Sequence, residues 1–435
     1  MPALWQRELP GADVVVRGAR VLDPAEGLDA RLSVRIDRGT ITALGETVEA
    51  NGHRVVEAEG LVLAPAFVDP HVHLRTPGRE DEETIASGTQ AAAAGGYCAI
   101  LAMPNTEPVV DSAATLGALA AAARREAEVP TGFLAAITRG QRGEELTEMA
   151  ELADSGAVAF SDDGVPVASA GLLRRAFQYV SITGRTLALH CEEPTLSRGG
   201  HVHEGRAAAE LGLAGQPSVA EAAMVARDLA VARHEGQPVH LLHLSARESV
   251  ELLAAARAAG VRASGEVTPH HLVLTDDAVR SLDPNVKMNP PLRGERDRAA
   301  LLDALRDGTV ECVATDHAPH AAHEKDAPFE AAPFGVTGLE TAFAALYTHL
   351  VEPGLLPLAT LLERMSAGPA RVFGLERPRV AAGAPANLVL LDLEREWTVG
   401  ERPFRSRSAN SWLLGARLRG SVRLTAAGGA VVYEA

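Results

Sequence analysis

Short apolar runs alternate with longer amphipathic stretches through the middle of the chain, between about residue 61 and residue 320. The apolar runs predict eight strands, at residues 61–73, 97–105, 131–138, 157–163, 186–192, 240–245, 262–271 and 312–319. Segments rich in alanine, leucine, glutamate and arginine predict helices between them, for example at residues 113–128, 144–155, 168–182, 219–234, 248–259 and 296–307. Strands that alternate with helices form parallel sheets, so eight such units predict an α/β fold, a closed (β/α)8 barrel of the TIM type.

A doubly wound open sheet is the alternative architecture for the same alternation. That fold typically opens the helix after its first strand with the glycine pattern G-x-G-x-x-G, which binds a dinucleotide phosphate. No such pattern follows residues 61–73. The sequence therefore favours the barrel.

The two ends of the chain have a different pattern from the middle. Residues 12–60 and 386–435 carry short alternating segments interrupted by glycine, which is typical of small β meanders. A chain of 435 residues is long for one core, and two or three domains are expected. We predict one small β-sandwich built from residues 1–60 and 376–435, beside a catalytic barrel at residues 61–375.

Composition narrows the classes of function. The chain is 46% hydrophobic and 23% charged, which is ordinary for a globular protein, and its formal net charge is −16. Nucleic-acid binding needs a cationic surface, so no nucleic-acid partner is expected. No apolar run reaches the ~20 residues that span a bilayer, so no membrane association is expected either.

Three cysteines, Cys98, Cys191 and Cys312, each lie inside an apolar stretch. An odd number of cysteines in such positions favours reduced, buried thiols over a disulfide framework. We therefore expect a cytoplasmic protein.

Polar residues recur where the predicted strands end, which is where (β/α)8 enzymes build their active sites. Asp69, His71, His73 and Arg75 share one face of the first strand, because alternate residues of a strand point the same way. Histidine or aspartate follows six of the eight strands; among these residues are Asp163, His190, His243 and Asp316. A lone His-x-His is also typical of an exposed edge strand, but the recurrence favours a metal site, since imidazole and carboxylate bind zinc and similar cations.

Other histidines are not expected to bind metal. His201 and His203 also form a His-x-His, but they follow two glycines and no apolar run, so a loop is predicted there. His270 and His271 lie near the predicted site, and we expect them to have a packing role.

Several segments together resemble the metal-dependent amidohydrolase superfamily, and within it the dihydroorotase family in its separate-chain bacterial form. They lie at residues 69–78, 102–106, 160–164, 190–192, 266–272, 287–293, 314–320 and 332–335, in the expected order along the barrel. The resemblance implies a metal-dependent cyclic amide hydrolase of pyrimidine biosynthesis. Its expected reaction is the reversible cyclisation of N-carbamoyl-L-aspartate to L-dihydroorotate and water.

The resemblance implies one or two zinc ions, with two favoured, and six ligands: His71, His73, Asp163, His190, His243 and Asp316. Many members of the superfamily bridge two metals with a carboxylated lysine. This chain has only two lysines, Lys287 and Lys325, and neither falls between His73 and His190. A bridging carboxylate must therefore come from an acid, and the resemblance implies Asp163, since the separate-chain type uses aspartate. Its neighbour Asp162 would point the other way in an extended strand.

The resemblance also assigns the chemistry. A metal-bound hydroxide is the expected nucleophile, and Asp316 is the expected catalytic residue, a general base toward the nucleophile and a general acid toward the departing nitrogen. The substrate contacts implied are His73, Arg75, Asn105, Asn289, His320, Phe334 and Gly335. Arg75 suits the substrate carboxylate, because a guanidinium holds a carboxylate with two parallel hydrogen bonds. Residues 320–335 are predicted to form a loop over the pocket.

Two alternatives remain open on the sequence. One is another cyclic amidohydrolase, an allantoinase or hydantoinase, although these generally resemble the lysine-bridged type. The other is a non-catalytic dihydroorotase-like scaffold for aspartate transcarbamoylase, although such chains lose metal ligands that this chain keeps. A homo-oligomer is expected, and an active enzyme that also binds aspartate transcarbamoylase is a further hypothesis.

Overall fold

The computed structural model describes residues 2–435. Its strands are β1 Val14–Asp23, β2 Leu28–Asp37, β3 Thr40–Gly45, β4 Arg54–Glu57, β5 Val62–Pro65, β6 Phe67–Val72, β7 Tyr97–Ala102, β8 Thr131–Phe133, β9 Leu187–Leu189, β10 Val202–His203, β11 Gly215–Gln216, β12 Val239–Leu241, β13 Ala263–Val267, β14 Cys312–Val313, β15 Leu388–Thr398, β16 Arg417–Ala427 and β17 Ala430–Glu434. Its α-helices are α1 Ile85–Ala94, α2 Ala113–Glu126, α3 Met149–Asp154, α4 Ala170–Val180, α5 Pro194–Ser197, α6 Arg206–Leu211, α7 Ser218–Glu235, α8 Arg247–Ala258, α9 Pro269–Val273, α10 Glu295–Asp307, α11 Ala322–Lys325, α12 Ala342–Leu346, α13 Leu358–Met365 and α14 Ala367–Val372.

Parallel pairing closes the middle of the chain into a barrel. Strands β6, β7 and β8 pair in parallel, as do β9, β12, β13 and β14. Phe160 links the two groups by bridging in parallel to Ala135 and to Leu187, and Val72 closes the ring by bridging to His317. The predicted (β/α)8 barrel is confirmed, with eight strand positions around one ring.

Two of the predicted strands differ from the structure. Residues 157–163 do not form a regular strand; Phe160 alone pairs there. Residues 61–73 form two strands: β5 pairs with β1 and β15, and only β6 enters the barrel. Both halves are buried, so their hydrophobicity does not mark the boundary, but Pro65 at the end of β5 has no N–H to continue the ladder.

Both chain ends contribute to one sheet, in the order β17-β16-β15-β5-β1-β2-β3, with β4 beside β1. Its apolar core contains residues from each end, among them Val14, Ile36, Leu388 and Leu424. The predicted β domain joined from both ends is thus confirmed. Among the residues described, no helix combines the length and apolar character needed to cross a bilayer.

The segment between β6 and α1 ends in a hydrogen-bonded cap at the start of the helix. Thr84 caps α1 by accepting a hydrogen bond from the backbone N–H of Ser87, and the Ser87 hydroxyl accepts one from the Thr84 backbone in return. This capping box fixes where the helix begins. The cap therefore holds Glu82 and Glu83, both fully buried, in the turn just before the helix.

An aromatic cluster joins the base of the barrel to the layer outside it. Phe67 at the start of β6 stacks on Phe343 of α12 at 5.5 Å and meets the edge of Tyr97 at 5.6 Å. Phe67 and Tyr97 are almost completely buried. Because β6 carries the first two histidines of the site, this contact also anchors the strand that presents them.

Replacing Phe67 by alanine should lower the free energy of unfolding by about 3–5 kcal/mol, because a buried aromatic ring is lost and a cavity remains. Denaturant unfolding followed by circular dichroism measures the change. Ile182→Ala is the matched control, since Ile182 is 73% exposed and its truncation should change stability by no more than about 0.5 kcal/mol. Equal shifts in the two variants would contradict the anchoring role.

Candidate active site

The six predicted ligands converge at the carboxyl ends of the barrel strands. Five of them form two groups of potential metal ligands that share one residue: His71, His73 and Asp163 in the first, and Asp163, His190 and His243 in the second. Within each group the ligand atoms lie within 4.8 Å of one another. All are buried, so the site has little competition from bulk water.

The two oxygens of Asp163 face different histidine pairs. Oδ2 lies 3.6 Å from Nε2 of His71 and 3.6 Å from Nε2 of His73. Oδ1 lies 3.3 Å from Nε2 of His243 and 3.6 Å from Nδ1 of His190. The carboxylate therefore stands between two sets of imidazole nitrogens.

Asp316 lies against the first histidine pair only. Its Oδ1 is 3.1 Å from Nε2 of His73 and 3.4 Å from Nε2 of His71. The backbone of Asp316 is left-handed, with φ of 48°, as is that of His243, with φ of 30°. Such φ values are uncommon outside glycine and tend to occur at functional sites, where they turn a side chain out of the strand direction.

Hydrogen bonds outside the cluster orient three of the four histidines. The second ring nitrogen donates to an acceptor in each case: His71 Nδ1 to Glu266 (2.7 Å), His73 Nδ1 to Asn105 (2.9 Å) and His190 Nε2 to Glu192 (3.0 Å). Metal-binding histidines characteristically donate their other nitrogen in this way, which fixes the tautomer and the ring orientation. The nitrogens that face Asp163 and Asp316 are thereby left with their lone pairs inward.

Burial and charge act in opposite directions on these groups. Burial lowers the pKa of His71, but the negative charges of Asp163, Glu266 and Asp316 outweigh it and raise that pKa well above its ordinary value. Burial raises the pKa of Asp163, yet the histidines around it, His71 foremost, hold that pKa well below the usual range. Carboxylates on both sides of the His190 ring overcome its burial and raise its pKa to about 9. The cluster therefore attracts positive charge.

The donor set fits a divalent metal. Nε2 of His71 is buried, has no hydrogen-bond partner and points toward two carboxylates. A lone pair facing carboxylate oxygens is unfavourable unless a proton or a cation lies between them. Imidazole nitrogens combined with carboxylate oxygens are the ligands that zinc accepts in catalytic sites.

Sequence reasoning missed the residues that support the ligands from beneath. Glu266 is fully buried; it accepts a hydrogen bond from His71 Nδ1, another from His240 Nε2 at 3.0 Å and a third from the backbone N–H of His243. The contacts with His71 and His240 outweigh the effect of its burial and lower its pKa to about 2. Its position inside the apolar strand β13 was the available signal, because a charged residue there needs a partner.

Asp69 has a related role at the first strand. It accepts hydrogen bonds from the backbone N–H of His71 at 3.1 Å and from the hydroxyl of Thr315 at 2.6 Å. Asp162 faces away from the cluster and accepts from the backbone N–H groups of Ile137 and Thr138. The structure thus brings Asp163, and not Asp162, to the histidines.

The predicted substrate-binding residues surround the cluster. Arg75 Nε lies 2.9 Å from Glu82, and its Nη2 lies 3.5 Å from Nε2 of His320. Asn289 donates to Glu192 at 2.8 Å, while its own Oδ1 is buried without a partner. Glu192 and Asn289 also line a cavity of about 620 Å³ beside the site, together with Phe334. Asn105 lies closer to the cluster than these residues do, because its amide contacts His73 and Asp163 directly.

Both lysines of the chain hold the loop at residues 320–335. Lys287 Nζ donates to the carbonyls of Phe329, Glu330 and Ala332 at 2.7–2.9 Å. Lys325 Nζ donates to two further carbonyls, one of them that of Pro333. The backbone N–H of Gly335 donates to the Lys287 carbonyl at 2.9 Å. These contacts give Phe334 and Gly335 a defined position at the mouth of the pocket.

The remaining histidines lie outside the metal cluster. His203 contacts Arg293 at 3.2 Å, and neither it nor His201 belongs to a group of potential metal ligands among residues 2–435. His271 bonds to Thr268 and to the Pro290 carbonyl. Burial lowers the pKa of His271 to about 3, so this ring is neutral.

Comparison with known proteins places this geometry in a family. A family model described as Dihydro-orotase-like matches residues 60–249. A dihydroorotase of Geobacillus kaustophilus is 46% identical over 406 residues, which cover 93% of this chain and 95% of that protein. A dihydroorotase of Geobacter metallireducens is 42% identical over 423 residues, which cover 97% of this chain and 100% of that protein.

Solved structures match over the barrel and the β domain together. An L-hydantoinase (dihydropyrimidinase) from Arthrobacter aurescens superposes with a TM-score of 0.87 at 26% identity, covering 97% of this chain and 96% of that chain. A dihydropyrimidinase from Brevibacillus agri gives a TM-score of 0.84 at 22% identity, covering 97% and 95%, and supports the fold alone. Because its relatives at 42–46% identity match almost from end to end, the chain belongs to the dihydroorotase family of cyclic amide hydrolases.

Proposed function

We propose that this protein is a dihydroorotase that interconverts N-carbamoyl-L-aspartate with L-dihydroorotate and water, a step of de novo pyrimidine (UMP) biosynthesis. Its sequence similarity to proteins named dihydroorotase supports this choice of substrate. The observation that carries the chemistry is the buried carboxylate of Asp163, with one oxygen toward each histidine pair. A cluster of this kind suits hydrolysis and formation of a cyclic amide.

We propose that the cluster holds two zinc ions. His71, His73 and Asp316 would hold one, and His190 and His243 the other, with Asp163 shared between them. When bound, such a cation lowers the pKa of a water ligand and polarises an amide carbonyl. The outward hydrogen bonds of His71, His73 and His190 support this assignment, because they orient each ring so that its other nitrogen faces the place a cation would take.

Asp316 is the proposed proton shuttle. Its pKa is held low by the neighbouring His71 and His73 against the effect of its burial, so the carboxylate is ionised and able to accept a proton. In ring opening it takes the proton from the attacking water and passes it to the departing amide nitrogen. In ring closure the same carboxylate takes the proton from that nitrogen and returns it to the leaving oxygen.

Arg75 and His320 are the proposed binding groups for the ring carboxylate of the substrate. They lie side by side, with 3.5 Å between Nη2 of Arg75 and Nε2 of His320, and a guanidinium beside an imidazole offers several N–H donors to one carboxylate. We assign the uncharged part of the substrate to Asn289 and to the backbone at Phe334 and Gly335. His73 and Asn105 are also proposed to contact the substrate, in addition to their contacts inside the cluster.

We propose the division into a β domain at residues 1–60 and 376–435 and a barrel at 61–375, supported by the single sheet that both ends form, although β5 belongs to that sheet as well. A cytoplasmic location is supported by three buried, unpaired cysteines. Homo-oligomers and association with aspartate transcarbamoylase stay predictions.

Purified protein loaded with zinc should open L-dihydroorotate with a kcat/KM at least about 100-fold above its values for hydantoin and allantoin, because only the first substrate carries the carboxylate that fits Arg75 and His320. A spectrophotometric ring-opening assay on all three substrates measures this. Faster turnover of hydantoin or allantoin would replace the proposal with that activity. No turnover of any of them by metal-loaded protein would favour a scaffold.

Asp316→Asn should reduce kcat by about 10²–10⁴-fold in both reaction directions, because the amide has nearly the same shape but cannot accept the proton. Circular dichroism and the unfolding midpoint should stay as in the wild type. Asp326→Asn is the matched control, because Asp326 is exposed in the neighbouring loop and should have wild-type kcat. A kcat for Asp316→Asn within threefold of the wild type would refute the shuttle.

Asp163→Ala should lose both zinc ions, whereas His190→Ala should keep close to one ion per chain, because only Asp163 belongs to both ligand groups. Elemental analysis of protein dialysed against a fixed zinc concentration gives the stoichiometry independently of activity. Retention of one full ion by Asp163→Ala, or loss of both by His190→Ala, would contradict the shared-carboxylate arrangement.

A further inference from the structure

Glu82 is a fully buried carboxylate that none of the steps above uses. It lies in the turn between β6 and the Thr84 cap of α1. Its Oε2 is 2.9 Å from Nε of Arg75, and its Oε1 is 3.2 Å from Nδ1 of His320. One carboxylate therefore contacts both groups that are proposed to bind the substrate carboxylate.

The contacts of His320 indicate why a carboxylate is needed there. Nδ1 faces Glu82, and Nε2 faces the backbone carbonyl of Phe334 at 2.8 Å. Both partners only accept hydrogen bonds, so together they fix the orientation of the ring. The ring stands 3.5 Å from the guanidinium of Arg75, and the carboxylate of Glu82 faces both side chains.

The charged neighbours of Glu82 argue against a metal ion between Glu82 and His320. Glu82, His320 and Glu324 form a third group of potential metal ligands. Arg79, however, pairs with both of these glutamates, and Arg75 pairs with Glu82, so cationic side chains already occupy the positions that face the carboxylates. The group is a network of ion pairs that ends at the substrate pocket.

We propose that Glu82 is the positioning residue of the substrate-carboxylate subsite, which fixes the guanidinium of Arg75 and the imidazole of His320 in one geometry. The proposal rests on the function proposed above and adds a specificity element beneath the residues that touch substrate. The carboxylate of Glu82 contacts both groups without substrate present, so they are ordered before substrate arrives, which reduces the cost of ordering them on binding.

Glu82→Gln tests the proposal. The amide has the size of the carboxylate but carries no charge, so it loses the ion pair with Arg75, and its NH2 group cannot accept a hydrogen bond from Nδ1 of His320. KM for L-dihydroorotate should rise about 10- to 100-fold, since the ion pair and the hydrogen bond to the carboxylate are lost. The kcat should stay within about threefold of the wild type, and zinc content should be unchanged. A loss of kcat with unchanged KM would overturn the positioning role.

Glu324→Gln is the comparison variant, because Glu324 also pairs with Arg79 but lies 3.6 Å from His320 and has no contact with Arg75. Its KM should rise less than threefold. An equal rise in both variants would mean that general electrostatics, not positioning by Glu82, sets the affinity. If Glu82→Gln does not fold, Glu82→Asp keeps the charge, withdraws it by one methylene and should raise KM in the same way.

A double-mutant cycle with Arg75→Met separates positioning from an unrelated structural effect. Because Glu82 acts partly through Arg75, adding Glu82→Gln to Arg75→Met should raise KM much less than it does in the wild-type background. Fully additive effects would overturn the proposal. Wild-type turnover of dihydroorotate is measured in the same series: its absence would remove the proposed function and this inference together, whereas normal turnover with an unchanged KM in Glu82→Gln would remove only the inference.

Discussion

The site depends on a single carboxylate that lies between two pairs of imidazole rings. Asp163 is buried, and each of its oxygens faces one histidine pair. Isolated charge is costly in a protein interior, so such a group persists only when cations or donors surround it. The inward Nε2 of His71 turns that requirement into a preference for metal cations, because this nitrogen has no hydrogen-bond partner.

The barrel supplies the precision that this arrangement needs. The ligands come from segments separated by up to about 245 residues, and parallel strands bring their carboxyl ends to one rim. Beneath the rim, Glu266 and Asp69 bond to the strand ends and hold the first ligands in place. Above it, two lysines hold the loop that carries Phe334. The polar residues therefore form layers, from buried carboxylates through metal ligands to groups that meet substrate.

Much of this followed from the sequence, and the failures have physical causes. Histidine and aspartate at successive strand ends predicted the cluster, because the position of an active site in a barrel is fixed by strand direction. The run at residues 61–73 predicts one strand where the structure has two, since an apolar run buried in two adjoining sheets has no periodic signal at the junction. Residues 157–163 were also predicted as a strand, but only Phe160 pairs there. Whether a segment pairs with neighbouring strands depends on tertiary contacts, which a local sequence pattern does not reveal.

The supporting carboxylates were harder to predict than the ligands. Glu266 and Glu82 lie among many acidic residues in a chain of net charge −16, and only their burial distinguishes them. Burial depends on the packed barrel, so sequence reasoning had one clue for Glu266, its place in an apolar strand, and none for Glu82 in a turn. The contacts that tune a site are thus less visible in a sequence than the groups that perform the chemistry.

Anomalous X-ray scattering at the zinc edge, from crystals grown with zinc, tests the central claim most directly. The account predicts two peaks on opposite sides of the Asp163 carboxylate, one beside His71 and His73 and the other beside His190 and His243. A single peak that Asp163 does not touch, or peaks elsewhere on the chain, would contradict it.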